Sequence, residues 1–230
     1  MKRALRLIFR SFAVALAALL LYQGWVFAQV LWWRDNNPAS TRFMRIHLAE
    51  LRKTRPDAEL RHQWVEYERI SVHLRRAVVA AEDDRFMQHR GFDWDGIQQA
   101  MERNRRAGGA VAGGSTISQQ LAKNLFLSPS RSYLRKAQEA VITVMIESTW
   151  SKRRILEVYL NVVEWGEGVF GCEAASQRYF GVSADRLGPA EASRLAVKLP
   201  NPRRFEQNFG PRQAAHAERV RLRMRHSQIP

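Results

Sequence analysis

Gly113-Gly114-Ser115-Thr116-Ile117-Ser118-Gln119-Gln120-Leu121-Ala122-Lys123-Asn124 is the stretch on which the reading of this chain turns. Thr116 and Gln119 stand at capping-box spacing, so each can satisfy a free backbone N–H where a helix begins. The helix they open carries Leu121 and Leu125 on one face. Glycines ahead of a helix N-terminus leave N–H groups open to an anionic oxygen. Lys123 adds a point charge, and Gln120 with Asn124 presents two amides one turn apart. A Walker loop is excluded, because no Gly-Lys-Ser/Thr follows at the required spacing. An ordinary capped helix with a flexible leader accounts for the same residues, so the stretch defines a helix before it defines a chemistry.

The pattern continues on both sides. Leu74, Ala77, Val78 and Ala81 recur three or four apart from Ser71 onward, and Trp94, Ile97 and Met101 suggest a second helix. That helix ends before Ala107-Gly108-Gly109-Ala110-Val111-Ala112-Gly113-Gly114, a backbone too permissive to hold one conformation unaided. Downstream, Pro129 closes the central helix. A long helix is expected over 132–150, with Leu134, Ala137, Val141, Val144 and Met145 as its buried stripe. Ser151 caps the next, which carries Ile155, Val158, Tyr159 and Val162. Gly166, Gly168 and Gly171 interrupt the chain before a short helix ending near Tyr179, and a last helix runs from Pro189 to just before Pro200. Strand alternation is almost absent and no repeat stands out. The class is mainly α.

The N-terminus places the protein. A basic tail, 1–10, carries Lys2, Arg3, Arg6 and Arg10, and 11–33 then holds no charged residue. At about 1.5 Å per residue such a run reaches about 34 Å, enough to cross a hydrocarbon core. Trp25, Trp32 and Trp33 cluster at its far end, where an interfacial belt belongs. Val26-Phe27-Ala28 loosely resembles a signal-peptide cleavage site, but the apolar run continues past it, which favours an uncleaved transmembrane helix. The basic side stays cytoplasmic and the body faces outward. Residues 34–68, with Asn36-Asn37-Pro38 as a turn and many charges after Arg52, read as an irregular connector. Residues 69–230 then form the domain.

Lys and Arg outnumber Asp and Glu by 37 to 22, a formal charge of +15 that predicts an anionic partner. Beyond a membrane, lipid phosphate or a membrane surface explains that charge better than nucleic acid, and no zinc-finger or RNA-binding signature occurs. The lone Cys172 excludes an intramolecular disulfide and a cysteine-rich zinc site. The six histidines include no H-x-x-x-H pair, so no metal site is expected.

Two carboxylates stand out. Glu82 follows the apolar stretch 77–81, where desolvation would raise its pKa toward that of a usable base, although a solvated acidic helix end fits the local pattern too. His89, three residues after Phe86, suits a hydrogen bond within the turn. Glu139 lies four residues after Arg135, the spacing of a surface ion pair, and equally among cations able to grip a pyrophosphate. Leu125-Phe126-Leu127, with Tyr133 and Leu134, would suit either a surface that dips into lipid or a core.

Together the runs EDDRFMQHRGFD (82–93), GGSTISQQLAKNL (113–125), RKAQE (135–139) and ILEVYLNVVEWGEGVFGCEAASQRYFG (155–181) resemble, in order and spacing, successive signatures of the peptidoglycan glycosyltransferases, glycosyltransferase family 51. PAEASRLAVKLPNPRRF (189–205) fits the same family. The resemblance covers 69–205 and lies nearest the monofunctional biosynthetic branch, since no Lys-Thr-Gly of a transpeptidase is present.

The resemblance implies a lysozyme-like, mainly α domain with a small membrane-facing jaw, acting on lipid II and a growing glycan strand. Glu82 matches the general base and Glu139 the second essential glutamate. Lys123 and Arg131 match cations on the donor's pyrophosphate, while Ser115, Gln119, Gln120 and Asn124 line the same groove. Asp83, Phe86, His89 and Gly91 shape the surroundings of the base, and 108–114 would be a mobile loop over the donor site. Ser118 stands where threonine is usual and keeps the hydroxyl. No cofactor is required, though a divalent cation could assist at the pyrophosphate. Membrane lipid and proteins of cell-wall synthesis or division are the expected partners, and the inner membrane, with the catalytic domain periplasmic, is the expected location. A lytic glycosidase and a non-catalytic membrane scaffold are the competing functions. The cations at Lys123 and Arg131 argue against the first, and the two glutamates against the second.

Overall fold

A computed structural model of the chain describes residues 2–109, 113–130 and 132–230. The chain divides into two units, Met1–Asn37 and Pro38–Pro230. The first is a single helix, α1 (Lys2–Asp35). Its stretch Leu5–Asp35 contains a window of mean hydropathy 1.8 and is long and apolar enough to cross a membrane.

The second unit starts earlier than the sequence pattern suggested. The stretch read as an irregular connector contains α2 (Arg42–Thr54), opened by the Thr41 hydroxyl, which accepts from the Met44 N–H at 3.1 Å. Its buried Met44 and Leu51 lie on a helix that packs against α5. A short strand follows, β1 (Arg61–His62), and then α3 (Val72–Glu82), capped by Ser71. The apolar residues of α2 are interleaved with nearly as many charges, which is why the segment looked like a linker.

Next come α4 (Trp94–Ala107), α5 (Ile117–Phe126), α6 (Tyr133–Thr149) and α7 (Lys152–Val162). Strands β2 (Glu164–Gly166) and β3 (Val169–Phe170) join β1 in a small sheet of order β1-β3-β2. β1 runs parallel to β3, with Arg61 opposite Val169 and His62 opposite Phe170. The chain finishes with α8 (Cys172–Phe180), α9 (Pro189–Ala196), α10 (Pro202–Gln207) and α11 (Pro211–Arg223). The mainly α class holds, with eleven α-helices against three short strands among the described residues.

The core centres on α7, whose Ile155, Leu156, Val158, Tyr159, Leu160 and Val162 are fully buried. Each buried aliphatic side chain of this kind contributes roughly 1.5–3 kcal/mol. α5 packs against α6 and α7 and buries Ile117, Leu121 and Leu125, while α3 packs on α9 and α11. Asn161 ties the entering chain to this core: its Oδ1 accepts from Val65 N and its Nδ2 donates to Val65 O, both at 2.9 Å.

Two expectations are corrected here. The apolar stripe expected to be buried on α6 faces outward: Leu134 is 86% exposed, Ala137, Val141 and Val144 are exposed, and Met145 is only half-buried. The buried face is Glu139, Ile142, Thr143 and Ile146. Leu125, Phe126 and Leu127 are core residues, whereas Tyr133, at 96% exposure, is not. The second correction is the length of the helical tail. α10 and α11 lie beyond the last helix the sequence pattern marked.

Candidate active site

Glu82 is the last residue of α3, and α3 is held in place by Leu74, Ala77, Val78 and Val79 packed into the core. Its carboxylate accepts a hydrogen bond from Gln120 Nε2 at 2.7 Å. The other end of that amide is occupied as well, since Tyr159 Oη donates to Gln120 Oε1 at 3.0 Å. Burial pushes the Glu82 carboxyl above its ordinary range; the Gln120 hydrogen bond and the nearby Lys123 charge oppose the rise, and Asp83 adds to it. The same burial, with Glu82 and Asp83 close by, raises the Tyr159 phenol, so it serves as a neutral donor.

Asp83 joins the two halves of the site. Its Oδ2 accepts from the Ile117 N–H at 3.0 Å, an open donor at the first turn of α5. Its Oδ1 faces His89 Nε2 at 2.8 Å, and His89 Nδ1 accepts from Gly91 N at 3.1 Å. With Nδ1 accepting, the proton sits on Nε2 and points at Asp83. The suggestion of a bond within the turn is therefore half of what His89 does. Phe86 is fully buried, with Lys152 Nζ 4.5 Å from its ring centre. Gly91 has φ +91°, and an added Cβ there would stand 2.8 Å from Thr143 Cγ2. Its carbonyl accepts from the Thr116 hydroxyl at 2.7 Å.

The capping box at Thr116 and Gln119 forms as the spacing required. Gln119 Oε1 accepts from Thr116 N at 3.0 Å, so the cap occupies the oxygen of a residue expected to line the groove. Asn124 is buried. Ser115 is exposed and accepts from Lys136 Nζ at 3.2 Å. Ser118, in the usual threonine's place, donates to Glu147, which Lys152 also contacts at 2.8 Å.

Glu139 is 3% exposed, so its pairing is a buried one and not the surface pair its spacing allowed. Arg135 Nη1 reaches Oε2 at 2.5 Å and Lys136 Nζ reaches Oε1. Lys123 lies between the two glutamates electrostatically: burial lowers its ammonium pKa, Glu139 and Glu82 work against that, and Arg135 and Lys136 reinforce it. Arg131, and residues 110–112 of the loop expected over the donor site, lie outside the described residues.

A cleft of about 550 Å³ opens beside Glu82, lined by Asp84, Arg103, Ser115, Thr116, His216 and Arg223 among others. A larger cleft of about 820 Å³, around Arg55, Glu167 and Arg203, contains none of the candidate catalytic or substrate-binding residues. Three contributors were missed as site residues. Tyr159 reads as core by its period, yet a buried phenol needs a partner, and that requirement was the signal available. Lys136 stood within the run RKAQE, among cations able to grip a pyrophosphate, but was given no role of its own. Arg223 comes from a helix that was not foreseen.

A buried glutamate of raised pKa, opening on a cleft and held by an amide within a mainly α domain, defines an enzyme equipped for general acid–base chemistry. The comparisons with known proteins narrow this class. The family model described as Transglycosylase matches residues 48–226. The chain is 68% identical, over 230 residues and the full length of both chains, to proteins named biosynthetic peptidoglycan transglycosylase from Azoarcus sp. (strain BH72) and Aromatoleum aromaticum. It is 54% identical over 226 residues to one of the same name from Methylobacillus flagellatus, covering 98% of this chain and 99% of the relative. The chain belongs to the transglycosylase family and is a peptidoglycan glycosyltransferase of cell-wall synthesis. The match begins at residue 48, inside α2, which agrees with the folding of the former connector into the domain.

Proposed function

We propose that this enzyme polymerises lipid II into β-1,4 glycan strands with inversion at the anomeric carbon. Glu82 takes the proton of the acceptor sugar's 4-hydroxyl. The freed oxygen attacks the anomeric carbon of the growing chain, the carbon–oxygen bond to pyrophosphate breaks, and undecaprenyl pyrophosphate leaves with the bonding electrons. Lys123 and Arg131 offset the charge that grows on the leaving group. Glu139 holds Arg135 and Lys136 beside that same charge and assists at the donor side. Ser115, Gln119, Gln120 and Asn124 line the groove, while Asp83, Phe86, His89 and Gly91 keep the base in position.

The observation that carries the reading is the amide of Gln120, held by Tyr159 at one end and donating to a desolvated Glu82 at the other. A base so placed has an elevated proton affinity and a defined direction. The activity proposed is polymerisation without transpeptidation. No cofactor takes part, and a divalent cation could assist on the pyrophosphate oxygens. We place the enzyme in the inner membrane by α1, with a cytoplasmic N-terminus and a periplasmic domain, following the basic residues ahead of the span. Proteins of wall synthesis or division are the proposed partners.

The test is polymerisation of labelled lipid II by full-length protein in detergent, beside Glu82→Gln. Lysozyme-sensitive polymer from the wild type alone supports the reading. Polymer from both removes Glu82 as the base. Soluble fragments released from isolated peptidoglycan would turn the reading to a lytic enzyme.

A further inference from the structure

α3 ends at Glu82, and its final turn has carbonyls that no longer find an intrahelical N–H. The Asp83 N–H takes the Val79 carbonyl. The next carbonyl, on buried Ala80, is taken from outside the helix by Arg223 Nη2, at the end of α11. One turn further on, Ser227 Oγ donates to Asp84 Oδ1 at 3.1 Å. Ser227 is itself buried, and Ala217, Val220 and Met224 anchor this part of the chain in the core. The two ties therefore bracket Glu82 and Asp83, one from each side. A cation at a helix C-terminus is also favoured by the helix dipole. Arg223 lines the cleft beside Glu82 at the same time.

We propose that Arg223 is a positioning residue for the reaction: by binding the Ala80 carbonyl it fixes the last turn of α3 and so the direction in which the Glu82 carboxylate points. The inference rests on the reading of Glu82 as general base. It gives α11 a role in catalysis, although none of its residues stands in the motif runs that define the site. The reacting hydroxyl and the base must meet at hydrogen-bond distance, about 2.6–3.2 Å, and a displacement of about 1 Å can cost on the order of a hundredfold in rate. A carbonyl left unpaired would let the turn relax toward water.

The experiment uses full-length protein in detergent and labelled lipid II, with initial rates measured against substrate concentration. Arg223→Met removes the donors while keeping an apolar stem of similar reach. Its kcat is expected to fall about tenfold with KM within about twofold, the pattern of a lost alignment and not of lost binding. Arg223→Lys, which keeps one donor and the charge, should recover at least half of the kcat. Arg219→Met, which removes an exposed charge one turn earlier on α11, should behave as wild type. Wild-type kcat in Arg223→Met overturns the proposal, as does an equal loss in Arg219→Met or no recovery with lysine. If Arg223→Met does not fold, Ser227→Ala tests the same bracket from its other side. A kcat reduced about threefold supports the proposal, and an unchanged one overturns it. Glu82→Gln in the same series separates the two ideas: an active variant defeats the general-base reading whatever Arg223 does, whereas an inactive one beside an unaffected Arg223→Met defeats the positioning role alone.

Discussion

Tyr159 and Gln120 form a fixed pair: the phenol donates to the amide oxygen at 3.0 Å, which leaves only the amide N–H to face Glu82. The order of the three groups is thus set by a residue in the middle of α7, flanked by the buried Val158 and Leu160. Tyr159→Phe keeps the ring and removes the restraint. The expected cost to stability is about 1 kcal/mol, with a several-fold fall in kcat as the amide becomes free to turn its oxygen toward the carboxylate. Thermal unfolding and initial rates on the same preparation check both. Unchanged rates would show that Gln120 needs no such support.

The pH dependence should follow the base. As the proposed general base, Glu82 must be ionised to accept a proton, and burial places its pKa above the ordinary carboxylate range, so activity should fall on the acid side through that raised value. Gln120 and Lys123 both hold the pKa down. Gln120→Leu or Lys123→Met should therefore move the acid limb of kcat/KM to higher pH. A limb that stays in place in both variants would mean that another group titrates there.

Stability should move in the opposite sense to activity at the same residue. Between the ordinary carboxylate range and the raised pKa, the folded protein binds more protons than the unfolded chain, so stability falls as pH rises through that window. Glu82→Gln keeps the shape and cannot ionise. It should abolish polymerisation yet unfold at a higher temperature than wild type at neutral pH, the difference vanishing once the pH drops below the ordinary carboxylate range. A lower melting temperature at neutral pH would contradict the desolvation argument.

Gly91 offers a test of packing. Its φ of +91° disfavours any side chain, and a methyl group there would meet Thr143 Cγ2 at 2.8 Å and Glu147 Cγ at 3.1 Å. Gly91→Ala is expected to cost about 1–3 kcal/mol, measurable by urea denaturation. Because the Gly91 carbonyl also receives the Thr116 hydroxyl, part of that loss should appear as weaker anchoring of α5 and a lower kcat.

What could be read from sequence was mostly local. The cap at Thr116 and Gln119, and the serines at 71, 132 and 151, mark helix starts through bonds spanning two or three residues. The inward face of α7 was legible because one side of the helix is uniformly apolar. α6 defeated the same logic. Its period shows that the helix has two faces, but Leu134, Val141 and Val144 look outward while Glu139 and Thr143 look in, and only the surrounding fold decides which face is core. α2 and α11 were missed for a related reason: each buries few residues, Met44 and Leu51 in one, Ala217 and Val220 in the other, amid many charges. The motif residues were legible by resemblance. Their partners Tyr159 and Arg223 were not, since both reach the site across long stretches of chain.

The stitching of Val65 onto Asn161, together with the parallel pairing of Arg61–His62 with Val169–Phe170, has a practical side for anyone trimming this enzyme. A cut at residue 69 would strip away an edge strand and expose the inner surfaces that Met44 and Leu51 now cover. A soluble fragment should instead begin at Pro38, ahead of the Thr41 cap, and a protease should find its first accessible bonds on the N-terminal side of that cap.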